Sequence, residues 1–214
     1  MIKFKNTKVT GWEPAIRGMR NPMNSWDKSD SFFFDGEIGV DLGSADHELM
    51  MKLAAGGPVH AKFRRMIIVY VDITAPLYWW KEFDTYKVGT VANSCSTMHK
   101  IQAKEFVRED FSLEHLNAPN LNLMDMVIRN LNIYREKYLK SKNKDDWWQM
   151  IQILPSSYNQ RRTVMMNYEV LAGIFPMREK HKLDEWRVFC DWIKSLPYSE
   201  IITLEESKKD PIHD

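Results

Sequence analysis

The stretch Met66-Ile67-Ile68-Val69-Tyr70-Val71-Asp72-Ile73-Thr74-Ala75-Pro76-Leu77-Tyr78-Trp79-Trp80 decides the fold class. Met66–Val71 is short, rich in β-branched residues and almost wholly apolar, which predicts a buried strand. Asp72 interrupts the run. Thr74-Ala75-Pro76 then opens a helix with proline at its first turn, and that helix carries Leu77, Trp79, Trp80 and Phe83. A strand feeding directly into a helix, in a chain whose other periodic segments are helical, predicts an α+β domain, mostly helical around a central antiparallel or mixed sheet.

Upstream, Ser44 is a plausible N-cap before Asp46 and Glu48, and Leu49, Met50, Leu53 and Ala54 form an apolar stripe closed by Gly56-Gly57-Pro58. Residues 1–44 read as an irregular, surface-wrapping segment with a short strand, because Gly11, Pro14, Gly18, Pro22, Gly36, Gly39 and Gly43 punctuate them. Downstream, 121–140 is the clearest helix, with Leu121, Met124, Val127, Ile128, Leu131, Tyr134 and Tyr138 on one stripe. A short helix from Asp145 ends at Leu154-Pro155. Two more are expected at about 160–175 and 182–195, separated near Pro176-Met177-Arg178. The polar tail from Glu205 to Asp214 is expected to fray. One domain over 1–214 fits this pattern.

The chain has 214 residues and a net charge of +1. That balance excludes whole-protein attraction to nucleic acid as the main theme, and the basic runs Lys140–Lys144 and Arg161-Arg162 are the only local support for such a partner. No segment reaches the roughly 18 apolar residues of a membrane helix, and the first residues lack a signal-peptide core. Two cysteines, Cys95 and Cys190, are too few for a disulfide scaffold and point to a reducing cytoplasm. The 8 tryptophans and 13 methionines call for a large core, an oligomer interface or a stacked ring ligand.

Phosphate-loop, dinucleotide, zincin and nucleophile-elbow motifs are all missing, and the histidines show no metal spacing. His60, between a helix end and a strand, reads as a structural residue or as a site residue. Two polar clusters remain. Tyr86, Lys87, Thr90, Asn93, Ser94 and Ser96 supply hydroxyls, an amide and a cation suited to a phosphate and a polar ring, or to capping and turns. Tyr158-Asn159-Gln160-Arg161-Arg162, with Asn167, Glu169 and Arg178 beyond it, suits bidentate phosphate binding or a solvated helix start. Together they describe an anionic small molecule bearing a ring.

The order of these pieces resembles the flavin-dependent thymidylate synthases, the ThyX family, over roughly residues 14–195. The resemblance rests on Ala15-Ile16-Arg17-Gly18-Met19-Arg20, on His60 followed by Phe63, the strand and Ala75-Pro76, on Leu154-Pro155-Ser156-Ser157-Tyr158-Asn159, on Thr163-Val164-Met165-Met166-Asn167, and on Met177-Arg178. The family signature R-H-R-x-x-S-x-N-x-x-S-x-R-Y is altered here. Thr85-Tyr86-Lys87 replaces Arg-His-Arg, and Lys87-Val88-Gly89-Thr90 fits Arg-x-x-Ser. Asn93 and Ser96 keep the Asn-x-x-Ser spacing with a one-residue shift, and Met98-His99 replaces the closing Arg-Tyr. Glu169 stands at a family arginine, Gly173 at a flavin-side asparagine, and the arginine before Leu-Pro gives way to Ile151 or its neighbours.

What the resemblance implies is reductive methylation of dUMP, with methylene-tetrahydrofolate as carbon source and NADPH reducing a bound FAD. It implies a homotetramer acting on a pyrimidine nucleotide, with no nucleic acid, membrane or metal involved. By carry-over, Ser96 and Arg178 are the catalytic candidates. His60, Tyr86, Lys87, Thr90, Asn93 and Asn167 are the cofactor candidates. Ser94, Ser96, Gln160, Arg161 and Arg178 are the substrate candidates. Each missing cation costs about 1.5–3 kcal/mol of anion binding unless Lys81, Lys87, Arg161 or Arg162 compensates. A ThyX-fold protein that binds a nucleotide or serves in assembly without turnover is the alternative.

Overall fold

The computed structural model describes residues 1–34 and 39–205. The expected fraying of the C-terminal tail concerns 206–214 and lies outside them, as do the residues 35–38 within the segment read as irregular. In chain order the elements are β1 (Lys3–Thr10), α1 (Trp12–Arg20), β2 (Phe32–Phe33), β3 (Val40–Asp41), α2 (Ser44–Ala55), β4 (Ile68–Pro76), α3 (Leu77–Phe83), β5 (Val91–Ser94) and α4 (Thr97–Lys100). Then follow α5 (Ala118–Ser141), α6 (Lys144–Ile153), β6 (Asn159–Asn167), α7 (Tyr168–Arg178), α8 (Asp184–Lys194) and α9 (Glu200–Thr203). The main sheet is antiparallel, in the order β1-β4-β6-β5, and β2 pairs with β3 in a two-stranded ribbon. The α+β class read from the sequence is the observed one.

The chain divides into two compact units. The first holds Met1–Lys3, Asp72–Thr85 and Ala92–Thr163. The second holds Phe4–Val71, Tyr86–Val91 and the described residues from Val164 onward. β4 and β6 contribute residues to both.

In the first unit, α5 and α6 enclose a cluster of Ile101, Phe106, Phe111, Ile128, Leu131 and Met150. The predicted stripe on α5 packs against this cluster through Met124, Val127, Tyr134 and Tyr138. α5 starts three residues before the expected position because Asn117 caps it, its side chain accepting the Asn120 amide, with Pro119 in the first turn. α3 buries Trp79, Trp80 and Phe83 at 0–2% exposure, and the Trp80 indole donates to the Gln160 carbonyl at 3.0 Å. That tryptophan pair is core, not a stacking platform.

In the second unit, α1 buries Trp12, Ala15, Ile16 and Met19. The segment read as irregular therefore holds a strand and an amphipathic helix. Gly11 and Pro14 looked like breakers, but they mark the helix start. Gly11 sits at φ +89°, and a Cβ there would lie 2.1 Å from the Met66 carbonyl oxygen. Ser44 is not the cap of α2. Asp30 takes that role from outside the helix, accepting the Ala45 and Asp46 amides at 2.9 and 3.1 Å. These bonds hold its carboxyl below the usual range.

Asp72 does not interrupt β4. It continues the strand because Arg161 (2.5 Å) and Thr163 (2.6 Å) donate to its carboxylate. β4 buries Val69, Val71, Asp72, Ile73 and Ala75 and exposes only Tyr70, as expected of a buried strand. Residues 159–167, expected as the first part of a helix, form β6. Gln160, Val164 and Met166 are buried, and the pattern is a strand's. Helix α7 begins only at Tyr168 and carries Pro176 within its last turns.

Candidate functional site

The sequence-predicted residues fall into two groups, each within one unit. In the first unit, Ser96, Gln160 and Arg161 line a cleft of about 290 Å³ together with Tyr158, Asn159 and Lys100. β5 is an edge strand whose residues are all exposed, so Asn93 and Ser94 face solvent beside this region of the chain. Ser96 caps α4. Its Oγ accepts the His99 amide at 3.2 Å and lies 2.9 Å from His99 Nδ1.

The cations of this cleft differ in how far they are committed. Lys104 pairs with Asp110. Arg161 is half-exposed and pairs with Asp72. Lys100 is exposed and forms no ion pair among the described residues. Gln160 is held by both ends of its amide. Its Nε2 donates to the Cys95 carbonyl at 2.9 Å, and its Oε1 accepts from Arg162 Nε at 3.0 Å. Arg162 in turn binds Asp84 at 2.6 Å and stacks over Trp80 at 4.2 Å, so this arginine braces β6 against α3. Burial raises the Tyr158 phenol above its usual range, and Asp110 adds to the effect. The Tyr158 ring is therefore a neutral surface in the cleft.

In the second unit, Tyr86 and Arg178 meet. Arg178 Nε donates to the Tyr86 hydroxyl at 2.8 Å, and the guanidinium lies 4.3 Å from the Trp186 ring centroid. Thr90 donates to the Tyr86 carbonyl. Asn167 is the N-cap of α7, its oxygen accepting the Val170 amide at 3.0 Å. The tight turn between them uses Gly89 at φ +78°, where a Cβ would come within 2.9 Å of Val170. Lys87 and His60 are exposed.

A second cleft in this unit, about 470 Å³, is lined among others by Ala54, Gly57, Arg64, Glu169 and Gly173. Arg64 Nε donates to Glu169 at 2.7 Å and its Nη1 to the Ile201 carbonyl at 3.2 Å. Glu169 therefore has its counter-charge within the fold. Sequence reasoning missed Arg64 and Lys100 because nothing local marks either: one needs α7 beside it and the other needs β6.

The FAD implied by the resemblance gives a specific test. Its pyrophosphate needs several charge-assisted donors. Among Tyr86, Lys87, Thr90, Asn93, Asn167 and His60, only Lys87 is a standing cation. Tyr86, Thr90 and Asn167 already use polar atoms in bonds within the second unit. The residues of one chain do not fit that group.

No family model matches the sequence, and no curated protein does. Solved structures do match. A crystal structure of the flavin-dependent thymidylate synthase ThyX from Helicobacter pylori, complexed with FAD and dUMP, shares 18% identity at a TM-score of 0.65, covering 94% of this chain and 95% of that one. A second structure of ThyX from the same organism with FAD and dUMP shares 18% identity at a TM-score of 0.66, covering 98% and 99%. At this identity the likeness shows the fold alone: the chain has the ThyX fold.

Proposed function

We propose that this chain binds a pyrimidine nucleoside monophosphate in the first unit's cleft and is a thymidylate synthase-like protein with dUMP as its substrate. One observation carries the reading. In a fold shared with structures that hold dUMP, a cleft of about 290 Å³ brings Lys100, without an ion pair among the described residues, beside Ser96 and the half-exposed Arg161. That volume sits at the lower end of small-ligand sites and suits a mononucleotide. Lys100 supplies the standing charge for the phosphate, and Ser96 supplies a hydroxyl. Arg161 is already ordered by Asp72, and its half-exposed guanidinium turns toward the phosphate while Asp72 keeps the Thr163 hydroxyl. Tyr158 offers a neutral ring face to the base.

The reaction we assign to this site is reductive methylation of dUMP, with methylene-tetrahydrofolate giving the carbon and NADPH the electrons. No step is derived through the flavin, because the residues of one chain do not fit it. We further propose a homotetramer in a reducing cytoplasm. A second reading, a ThyX-fold nucleotide binder or assembly component without turnover, is favoured by the internal commitment of Tyr86, Thr90, Asn167 and Arg178.

Two measurements on the purified full chain separate these readings. The first is absorbance near about 450 nm after FAD is added and excess removed by gel filtration. The second is the thermal shift given by dUMP. Retained flavin together with a dUMP shift supports the synthase. A dUMP shift on a colourless protein supports the second reading, and no shift with any pyrimidine nucleotide ends the synthase and the nucleotide-binder readings, leaving only the assembly component.

A further inference from the structure

Asn159 lines the same cleft from the start of β6. Its amide is not free to turn. Ser112, 8% exposed and outside the lining of the cleft, donates its hydroxyl proton to Asn159 Oδ1 at 2.9 Å. The Ser112 backbone is fixed in turn, its amide donating to the Ser157 carbonyl at 2.9 Å. With Oδ1 taken up on the side of Ser112, the group left for the cleft is the Nδ2 amide, two donors and no acceptor. Nδ2 has no hydrogen-bond partner among the described residues.

We infer that Asn159 is a specificity-determining residue that selects a pyrimidine presenting a carbonyl at C4 over one presenting an amine, with Ser112 as its positioning residue. The inference rests on the mononucleotide reading given above and deepens it. The chemistry is a donor–acceptor match. A uracil ring carries an O4 acceptor where cytosine carries an N4 amine donor. Against the Nδ2 of Asn159 the first completes a hydrogen bond, and the second brings two donors face to face. A site built around one hydrogen-bonding polarity discriminates strongly, because the wrong ligand leaves buried groups unmatched. Tyr158, its chain neighbour in the lining, adds no charge beside the amide, since burial raises its phenol above the usual range.

The test is calorimetric titration of the full chain with dUMP and with dCMP, for the wild type, Asn159→Asp and Ser112→Ala. Circular dichroism melts confirm that each variant is folded. The wild type is expected to bind dUMP about tenfold or more tighter than dCMP, as one good polar match allows. Asn159→Asp turns donors into acceptors and is expected to invert or abolish the ratio. Ser112→Ala lets the amide rotate. It is expected to pull the ratio toward one while dUMP affinity changes by no more than about threefold, a pattern that a merely structural serine would not give. Should Ser112→Ala not fold, Ser112→Cys, a weaker donor of similar shape, takes its place and is expected to lower the ratio partway.

Equal affinities in the wild type, a preference for dCMP, or a dUMP preference that survives both substitutions overturns the role of Asn159 and leaves the mononucleotide reading standing. Absence of binding by either nucleotide overturns both.

Discussion

Two aspartate–arginine pairs show how one chemistry takes two roles in this chain. In the second unit, Asp46 is fully buried and Arg20 is 4% exposed. Asp46 accepts from Arg20 Nε (2.6 Å), the Ser29 and Ser31 hydroxyls (2.7 and 2.8 Å) and the amides of Asp30 and Ser31 (3.1 and 3.2 Å). Both oxygens of that carboxylate accept, Oδ1 from Arg20 and Oδ2 from the other four donors, and the pair ties α1 and α2 to the loop between them. In the first unit, Asp72 is 10% exposed at its side chain but its partner Arg161 is 52% exposed. Here the carboxylate belongs to the strand and the guanidinium reaches water. Burial of both partners makes a fastener. Burial of one leaves the other available to a ligand.

Removing the fastener has the largest expected effect. Asp46→Ala strands the Arg20 charge and several donors, and should cost about 3–5 kcal/mol of unfolding free energy in a urea titration. A loss below about 1 kcal/mol would break the contrast, since that is the range of an exposed pair. A backbone version of the contrast comes next. Gly11 and Gly57 share the left-handed region at φ +89° and +86°, but only Gly11 faces a carbonyl at clashing distance. Gly11→Ala should destabilise by more than about 2 kcal/mol, and Gly57→Ala by about 1 kcal/mol, the cost of the conformation alone.

The exposed pair is sharpened by ligand affinity. Asp72→Asn keeps an acceptor for Thr163 and releases Arg161, so dUMP should bind about tenfold tighter, the worth of one charge-assisted contact. Unchanged affinity would show that Arg161 does not reach the phosphate.

The smallest effect is in acid. Burial pushes the Asp46 carboxyl up, but the bonds from Ser29, Ser31 and Arg20 outweigh it and hold the group below its ordinary value of 3.8. A depressed carboxyl contributes stability that is complete above its unfolded value and is lost as pH falls through its folded one. The wild type should therefore lose stability below about pH 4 more steeply than Asp46→Asn, measured by melting temperature from pH 5 to pH 2.

Much of the fold was legible because apolar periodicity reports burial directly. The α5 stripe, the core of β4 and the helix over 184–194 all follow from it. Reading failed where the deciding partner was distant in sequence. Gln160-Arg161-Arg162-Thr163 is polar enough to pass for a helix start, and its neighbours β4 and β5 make it a strand. α1 carried a clear stripe at Trp12, Ala15, Ile16 and Met19, and its glycine and proline outweighed that signal. For the candidate site, the residue types were visible and their commitments were not. No local pattern shows that Thr90, Asn167 and Gln160 already use polar atoms inside the fold, or that Lys100 has no ion-pair partner among the described residues.

The sequence by itself determined the α+β class, the long first-unit helix and a polar segment bearing hydroxyls and cations, because those depend on composition and period along the chain. Tertiary structure decided which carboxylate is sealed by five donors, which arginine stays within reach of a ligand, and which end of the Asn159 amide remains for the cleft. Those properties depend on desolvation and hydrogen-bond direction, and both are fixed only when residues far apart in the chain are brought together.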